Sequence, residues 1–167
     1  MLFYSSYLMS SPEQSPSVEI LMQYVKDLSV ENPSPVRMLG EDQKLFDTSI
    51  DIDVQASSMN ENTYEIVVFL RISIKKETEV CYLLEIQFAA LSKITDTTED
   101  VLPLLLFVQC PYLMFPYMRM LVTVLTQESG LPPLTLHPVD FAALLNQRIE
   151  QNKKNQANDL SSKETDC

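Results

Sequence analysis

Glycine is nearly absent from this chain of 167 residues, in which only Gly40 and Gly130 occur. A phosphate-binding P-loop needs two glycines about six positions apart, and a dinucleotide-binding fingerprint needs three close together. Neither motif can be formed with these two glycines. The sequence therefore excludes the common nucleotide-binding loops, and we expect the protein to use no cofactor and no nucleotide-driven step of its own.

Cysteine and histidine are also scarce. The three cysteines Cys81, Cys110 and Cys167 are an odd, scattered set, which is typical of reduced cytoplasmic thiols and not of a disulfide framework. They form no CxxC pair, and the single His137 completes no metal-ligand spacing. Cys110 and His137 could form a thiol–imidazole pair, but no third group is indicated to orient it. The sequence predicts neither a metal site nor an enzyme.

Basic residues are outnumbered, with 12 Lys and Arg against 23 Asp and Glu, and the formal net charge is −11. Nucleic acid is a poor partner for such a chain, because phosphate binding depends on clustered Lys and Arg. An acidic surface keeps a protein soluble and can also select basic partner segments.

Long apolar runs are missing as well, since none reaches the roughly 18 residues that a membrane span needs. The apolar start, Met1 to Met9, has no basic segment before it and no small-residue cleavage pattern, so it does not have the features of a secretory signal. We therefore expect a cytoplasmic protein without membrane insertion.

Apolar and polar residues alternate from about Val18 to Phe88, which predicts four β-strands in an antiparallel meander. Asp51 and Asp53 share one strand face, as paired catalytic carboxylates would, but such a pair is more typical of a solvated sheet face. On the first strand one predicted face carries Ile20, Met22, Tyr24, Leu28 and Val30, and the other carries Glu19, Gln23, Asp27, Ser29 and Glu31. On the fourth strand one predicted face carries Val80, Tyr82, Leu84, Ile86 and Phe88, and the other carries Cys81, Leu83, Glu85 and Gln87.

Helical periodicity replaces the alternation after about Thr97. A short helix is predicted around Pro103 and should end before Cys110-Pro111, because proline disfavours a helical residue before it. A longer helix opens at Phe115-Pro116, because proline is preorganised for the first helical position. Gly130 is a suitable residue to end the longer helix, and Asp140 to cap a final one. The predicted apolar stripe of the longer helix consists of Tyr117, Met120, Leu121, Val124 and Leu125.

Strands followed by helices predict an α+β fold, a four-stranded antiparallel sheet with helices packed on one face. The predicted organisation is a flexible N-terminal segment at 1–17, one domain at 18–150 and a disordered polar tail at 151–167.

The stretch from Cys110 to Leu145, CPYLMFPYMRMLVTVLTQESGLPPLTLHPVDFAALL, resembles the C-terminal half of the bacterial protein-export chaperone SecB. The shared features are a Cys-Pro step, a Phe-Pro-Tyr step, a long apolar helix and a closing Pro-Val-Asp-Phe-x-x-Leu. Residues 24–33, YVKDLSVENP, resemble the start of the same family. The resemblance extends over about Val18 to Glu150.

This resemblance implies an ATP-independent holdase that keeps precursor proteins unfolded for export and delivers them to the translocation ATPase SecA. It also implies a homotetramer, a dimer of dimers. Asp27, Glu31, Leu83 and Glu85 match the acidic patch with which SecB-like proteins dock the zinc-bearing C-terminal tail of SecA. Whether the two strand faces that carry these residues coincide does not follow from the sequence.

Two further sets of residues have competing interpretations. Candidates for a client groove are Phe46, Phe115, Tyr117, Met118 and Met120, for each of which core packing is at least an equal alternative. Tyr82, Leu84, Ile86 and Phe88 match positions that support subunit association in SecB-like proteins, with the core of a single subunit as the alternative.

The chain departs from the family in having no tryptophan, for which Phe46 is the nearest aromatic substitute, and in the run Phe88-Ala89-Ala90. Two other functions share the same features. A SecB-like chaperone dedicated to another client, such as an antitoxin, would have the same core. A small-molecule or lipid carrier would also use an apolar groove.

Overall fold

The computed structural model describes residues 15–33, 35–38 and 45–163, without the side chains of residues 37, 38 and 155–163. Residues 1–14, most of the predicted N-terminal segment, and Cys167 lie outside the described residues. The α+β prediction is confirmed. The elements are β1 (Ser17–Glu31), α1 (Pro35–Met38), β2 (Asp47–Asn60), β3 (Thr63–Lys76), β4 (Glu79–Thr95), α2 (Leu102–Leu104), a π-helical segment (Leu105–Gln109), α3 (Cys110–Glu128) and α4 (Phe141–Lys163).

The four strands form one antiparallel sheet in the order β1-β4-β3-β2. Tight turns join β2, β3 and β4 and contain Asn62 and Glu77, whose φ angles are 64° and 56°. Asn tolerates this left-handed conformation better than most residues. β1 does not pair with β2, the next strand in sequence, but adds to the free side of β4. β1 and β2 are therefore the two edges of the sheet.

Two register shifts interrupt β1, one between Ile20 and Met22 and one between Val25 and Asp27. Each β-bulge inserts one residue and therefore reverses the face to which the following side chains point. The prediction of a single apolar face on β1 is consequently wrong for the residues between the two bulges. Ile20, Leu28 and Val30 lie opposite core residues of β4, whereas Met22 and Tyr24 lie opposite Leu91 and Ala89 on the other face.

The apolar face of β4 is the centre of the core. Tyr82, Leu84, Ile86 and Phe88 are only 0–5% exposed and pack in one cluster with apolar residues of β3 and the helices. The prediction that they form an oligomer interface is therefore corrected, because side chains covered by the chain's own helices cannot contact another subunit. A further shift at the start of β4 places Val80 opposite Lys75, away from the face predicted for it.

The two predicted central helices are one continuous helical run from Leu102 to Glu128. Pro111 opens α3 and Pro116 lies inside it, so the break predicted at Cys110-Pro111 does not occur. An interior proline costs about 3 kcal/mol or more, which the burial of Met114, Phe115 and Met118 against the sheet offsets.

The run from Leu102 to Glu128 is long and apolar enough to cross a membrane by length and composition alone. The sequence expectation that no segment has this property is therefore corrected. In the fold the run lies against the sheet and its inner side chains belong to the core, which is the usual place of such a helix in a globular domain.

α4 begins after Asp140, whose Oδ1 accepts a hydrogen bond from the Ala143 amide at 2.9 Å. Phe141 is buried and meets the ring of Phe115 edge to face at a centroid distance of 6.0 Å. Further along α4, Arg148 Nη1 donates to the Val54 carbonyl at 2.6 Å. These contacts hold the first turns of α4 against the core and the β2 edge.

α4 continues to Lys163, well beyond the predicted start of a disordered tail at residue 151. The difference has a simple physical reason. The segment is polar, but Gln, Lys and Asn are compatible with a helix, and a helix that is already nucleated extends at low cost.

Candidate docking face and client groove

The predicted acidic patch lies on one face of the sheet. In the pairing of β1 with β4, Glu31 lies opposite Leu83, and Ser29, between Asp27 and Glu31, lies opposite Glu85. Cross-strand partners point to the same side of a sheet. The two strand faces that the sequence left unrelated therefore coincide, and Asp27, Glu31, Leu83 and Glu85 share one surface.

This surface is the side of the sheet opposite the helices, and we call it the outer face. Asp27 and Glu31 are exposed, and Leu83 and Glu85 are partly exposed. At about 3.4 Å per residue, Asp27 and Glu31 are roughly 13 Å apart along β1. The patch is thus an apolar side chain with carboxylates around it, on a rigid strand pair.

The basic residue Arg71 lies beside Glu85 in this patch. Arg71 is the β3 partner of Glu85, and Arg71 Nη1 lies 3.0 Å from Glu85 Oε1. Both side chains are about half exposed, at 57% and 45%. The pair neutralises part of the acidic charge, whereas Asp27 and Glu31 make no ion pair among the residues that the structure describes.

A polar cluster that sequence reasoning missed joins β1 to β3 across β4. Glu65 accepts hydrogen bonds from the Tyr24 hydroxyl and from Lys26 Nζ, the latter at 2.6 Å. The bonds from Lys26 and then Tyr24 lower the pKa of Glu65, while the bond to Glu65 raises the pKa of Tyr24. On β4, Ala89 lies opposite Tyr24 and Leu91 lies opposite Glu65.

A signal for this cluster exists in the sequence. Glu65 is a single carboxylate at the start of an otherwise apolar run, YEIVVFL, and such a residue needs a partner when it is half-buried. The partner could not be named, because Lys26 lies 39 positions away in sequence.

An apolar cavity opens at the end of the sheet where β2 begins. Its volume is about 240 Å³ and its walls come from β2, β3, the end of α3 and the following loop. Phe46, a predicted groove residue, is one of its partly buried walls. The other lining residues are Thr48, Ile74, Thr126, Leu131, Pro132, Pro133 and Leu134. The proline-rich loop thus gives the cavity a mostly apolar lining.

The four other predicted groove residues separate into two pairs. Phe115 is 5% exposed and Met118 is 0% exposed, so both are core residues and their assignment to a groove is corrected. Tyr117 and Met120 are 53% and 58% exposed on the outer side of α3. Of the stripe predicted from periodicity, Tyr117, Met120 and Val124 are thus exposed, whereas Leu121 and Leu125 are partly buried against the core.

Cys110 and His137 do not have the properties of a catalytic pair. The Cys110 thiol is fully buried, and burial raises its pKa, an effect only partly opposed by the nearby Ser92 hydroxyl. His137 is exposed in the loop before α4. A buried thiol with a raised pKa is a poor nucleophile at neutral pH.

Comparison with known proteins relates this architecture to one family. The family profile described as "Preprotein translocase subunit SecB" matches residues 11–152. The protein-export protein SecB of Bartonella quintana is 34% identical over 140 residues, which is 84% of this chain and 89% of that protein. The SecB of Maricaulis maris is 36% identical over 131 residues, 78% of this chain and 76% of that protein.

A solved structure has the same fold. It is a SecB-like chaperone of Mycobacterium tuberculosis in complex with a ChAD peptide from the HigA1 antitoxin, with a TM-score of 0.55 and 19% identity over 73% of this chain and 90% of that one. The chain described here belongs to the SecB family of protein-export chaperones.

Proposed function

We propose that this protein is an ATP-independent holdase of the bacterial cytoplasm, which keeps precursor proteins unfolded for export and delivers them to SecA. The observation that carries the proposal is the separation of two surfaces of opposite character. An apolar cavity lies at Phe46, among side chains of the helix side and the β2 edge, and an acidic patch lies on the outer face. A delivery chaperone needs both, because it binds its client and its destination at the same time.

Client capture uses apolar contacts. Unfolded precursors expose apolar side chains that a folded protein buries, and the cavity at Phe46 has room for one or two of them. A ligand that binds the unfolded state and not the folded state shifts the folding equilibrium toward the unfolded state by mass action. Holding a client in this way requires no nucleotide.

Docking uses charge. The zinc-bearing tail of SecA is proposed to bind Asp27, Glu31 and Glu85, with Leu83 as the apolar contact between them. Complementary charge speeds association and selects the partner. The energy for release comes from the SecA ATPase, since this chain has no phosphate-binding loop.

Subunit association is assigned to α3 and not to the buried face of β4. Leu113, Tyr117, Met120 and Val124 are 41–58% exposed and follow the spacing i, i+4, i+7, i+11 along one side of this helix. A second copy of α3 would bury this stripe in a self-complementary contact. We therefore propose that the homotetramer forms through α3.

The test separates docking from capture. Glu31→Lys should weaken binding of the zinc-loaded SecA tail at least tenfold, because reversal replaces attraction by repulsion within the patch, beside Leu83. Binding of a denatured precursor should stay within twofold. Glu61→Lys, at the β2–β3 turn, is the matched control, since it makes the same charge change away from the patch. Isothermal calorimetry measures the affinities of both variants and of the wild type for the SecA tail and for the denatured precursor.

The complementary variant is Phe46→Ala, which removes a wall of the cavity. It should weaken precursor binding several-fold and leave tail binding unchanged. If Glu31→Lys instead abolishes precursor binding while tail affinity is unaltered, the two surfaces have been assigned to the wrong partners. ATP should change neither affinity.

A second candidate is a SecB-like chaperone dedicated to an antitoxin. The structural neighbour that binds an antitoxin peptide supports it. Loss of affinity for the SecA tail, together with tight binding of a single antitoxin segment, would favour this candidate. A small-molecule or lipid carrier remains the third, and it would fail to bind unfolded polypeptides.

A further inference from the structure

The outer face has a cavity that shares only Asp27 and Glu85 with the proposed docking patch. Its volume is about 300 Å³, and it extends from Asp27 on β1 across β4 and β3 to β2. Its polar and aromatic lining consists of Asp27, Asp51, Asp53, Phe69, Arg71 and Gln87, beside Glu85.

Strand register explains why these residues meet. Asp53 pairs with Phe69, Phe69 with Gln87, and Gln87 with Asp27, so these four residues form one row across the sheet. The neighbouring row contains Asp51, Arg71 and Glu85. Adjacent strands are about 4.8 Å apart, and the row from β2 to β1 is therefore roughly 14 Å wide. A half-buried aromatic ring lies in this row with a carboxylate toward either edge.

The charges around Phe69 are not balanced. Glu85 holds Arg71 at 3.0 Å, and Asp53 lies 3.8 Å from Arg148. The side chains of Asp27 and Asp51 make no hydrogen bond or ion pair among the described residues. The cavity therefore has an aromatic floor, two uncompensated carboxylates and one cation that is already paired.

We propose that this cavity takes an arginine or lysine side chain of the basic segment that docks on the outer face. A cation over an aromatic ring is attracted by the negative face of the ring, and a carboxylate beside it adds a charge-assisted hydrogen bond. Arginine fits better than lysine, because its flat guanidinium can stack on Phe69 and bind Asp51 or Asp27 in the same pose.

The inference rests on the proposed docking function and extends its surface from two strands to four. A segment that crosses the sheet from Asp27 on β1 toward β2 passes Gln87, Phe69 and then Asp53. About four extended residues span this width at ~3.4 Å each. The docking segment should therefore carry a second cationic side chain about four residues from the one that meets the first patch.

The experiment measures affinity for the zinc-loaded SecA tail by calorimetry, using the full chain. Phe69→Leu removes the ring but keeps an apolar side chain, and Asp51→Asn removes one charge at an exposed position. Each should weaken tail binding about three- to tenfold. Asp47→Asn is the matched control, since Asp47 lies on the same face and strand outside the cavity, and it should change affinity less than twofold.

A series of tail peptides, each with one Lys or Arg changed to Gln, identifies the side chain. The peptide that lacks the side chain bound in the cavity should bind the wild type and Phe69→Leu with the same affinity. This result is expected for direct partners in a double-mutant cycle. Circular dichroism and oligomer size show that each variant is folded, and Asp51→Asn provides the test should Phe69→Leu unfold.

The outcomes are distinguishable. If Glu31→Lys abolishes tail binding while Phe69→Leu and Asp51→Asn bind like the wild type, the cavity assignment is overturned and docking stands. Equal losses in Asp47→Asn and Asp51→Asn also overturn it, because general charge then explains the effect. If Glu31→Lys has no effect, the proposed docking face itself is wrong.

Discussion

Replacing Glu65 by alanine tests the polar cluster that attaches the edge strand β1 to the centre of the sheet. The change leaves the Tyr24 hydroxyl and Lys26 Nζ without their shared acceptor. A hydrogen bond to a charged group contributes about 1.5–3 kcal/mol. The Lys26 side chain is 42% exposed, so its ion pair contributes only about 0.2–1 kcal/mol. We expect Glu65→Ala to lower the free energy of unfolding by about 2–3 kcal/mol.

Urea denaturation at fixed protein concentration measures this loss, since oligomer formation would otherwise shift the apparent stability. Glu61→Ala is the control, because Glu61 is an exposed turn residue with no partner among the described residues, and it should change stability by less than about 0.5 kcal/mol. Amide exchange should also increase in β1 around Lys26, beside the second bulge.

The contributions of Glu65 and Tyr24 to the free energy of unfolding depend on pH, and the direction follows from their pKa shifts. The folded-state pKa of Glu65 is lowered, so its contribution is present above the unfolded pKa of about 4.3 and is lost as pH falls through the folded value. The pKa of Tyr24 is raised, so its contribution is present below about 10 and is lost as pH rises through the folded value. The difference between wild type and Glu65→Ala should be largest between these limits. The reasoning is refuted if Glu65→Ala and Glu61→Ala are equally stable at neutral pH.

Two further predictions concern the helices. Met118→Ala should lower the free energy of unfolding by about 2–5 kcal/mol, because it leaves a cavity in the core. Met120→Ala, on the exposed side of the same helix, should leave the stability of the isolated subunit within about 0.5 kcal/mol of the wild type. Thermal denaturation of both variants at low protein concentration tests which side chain belongs to the core. Asp140→Ala removes the cap of α4 and should cost about 1 kcal/mol, with Asp140→Asn as the conservative variant that retains most of it; equal losses in both would show that capping is not the cause.

The docking face shows how far strand periodicity can be used. Asp27 and Glu31 were predicted to share a face, and they do, because both follow the second bulge and no further shift lies between them. Met22 was placed on the wrong face, since it lies between the two bulges. A single inserted residue leaves little trace in composition, yet it reverses every side chain that follows it.

The helix α3 shows where periodicity fails to predict which side of an element is buried. Its sequence is apolar around most of its circumference, so periodicity could not decide which side faces the sheet. Packing against β3 and β4 selected Met114, Met118 and Val122 for the core and left Tyr117 and Met120 outside. The oligomer surface predicted on β4 was wrong for the same reason, because the sequence shows that a face is apolar but not what covers it.

The sequence by itself determined the four strands, the presence of helices after them, the α+β class and the family, because these follow from local periodicity and from a specific run of residues between Cys110 and Leu145. It also determined that no P-loop is present. The tertiary structure alone decided that β1 pairs with β4, that the four predicted docking residues share one surface, and that Lys26 and Tyr24 meet Glu65. Those facts depend on contacts between residues up to 78 positions apart, such as Ser17 opposite Thr95, and such contacts are selected by the burial of the whole core and not by any local pattern.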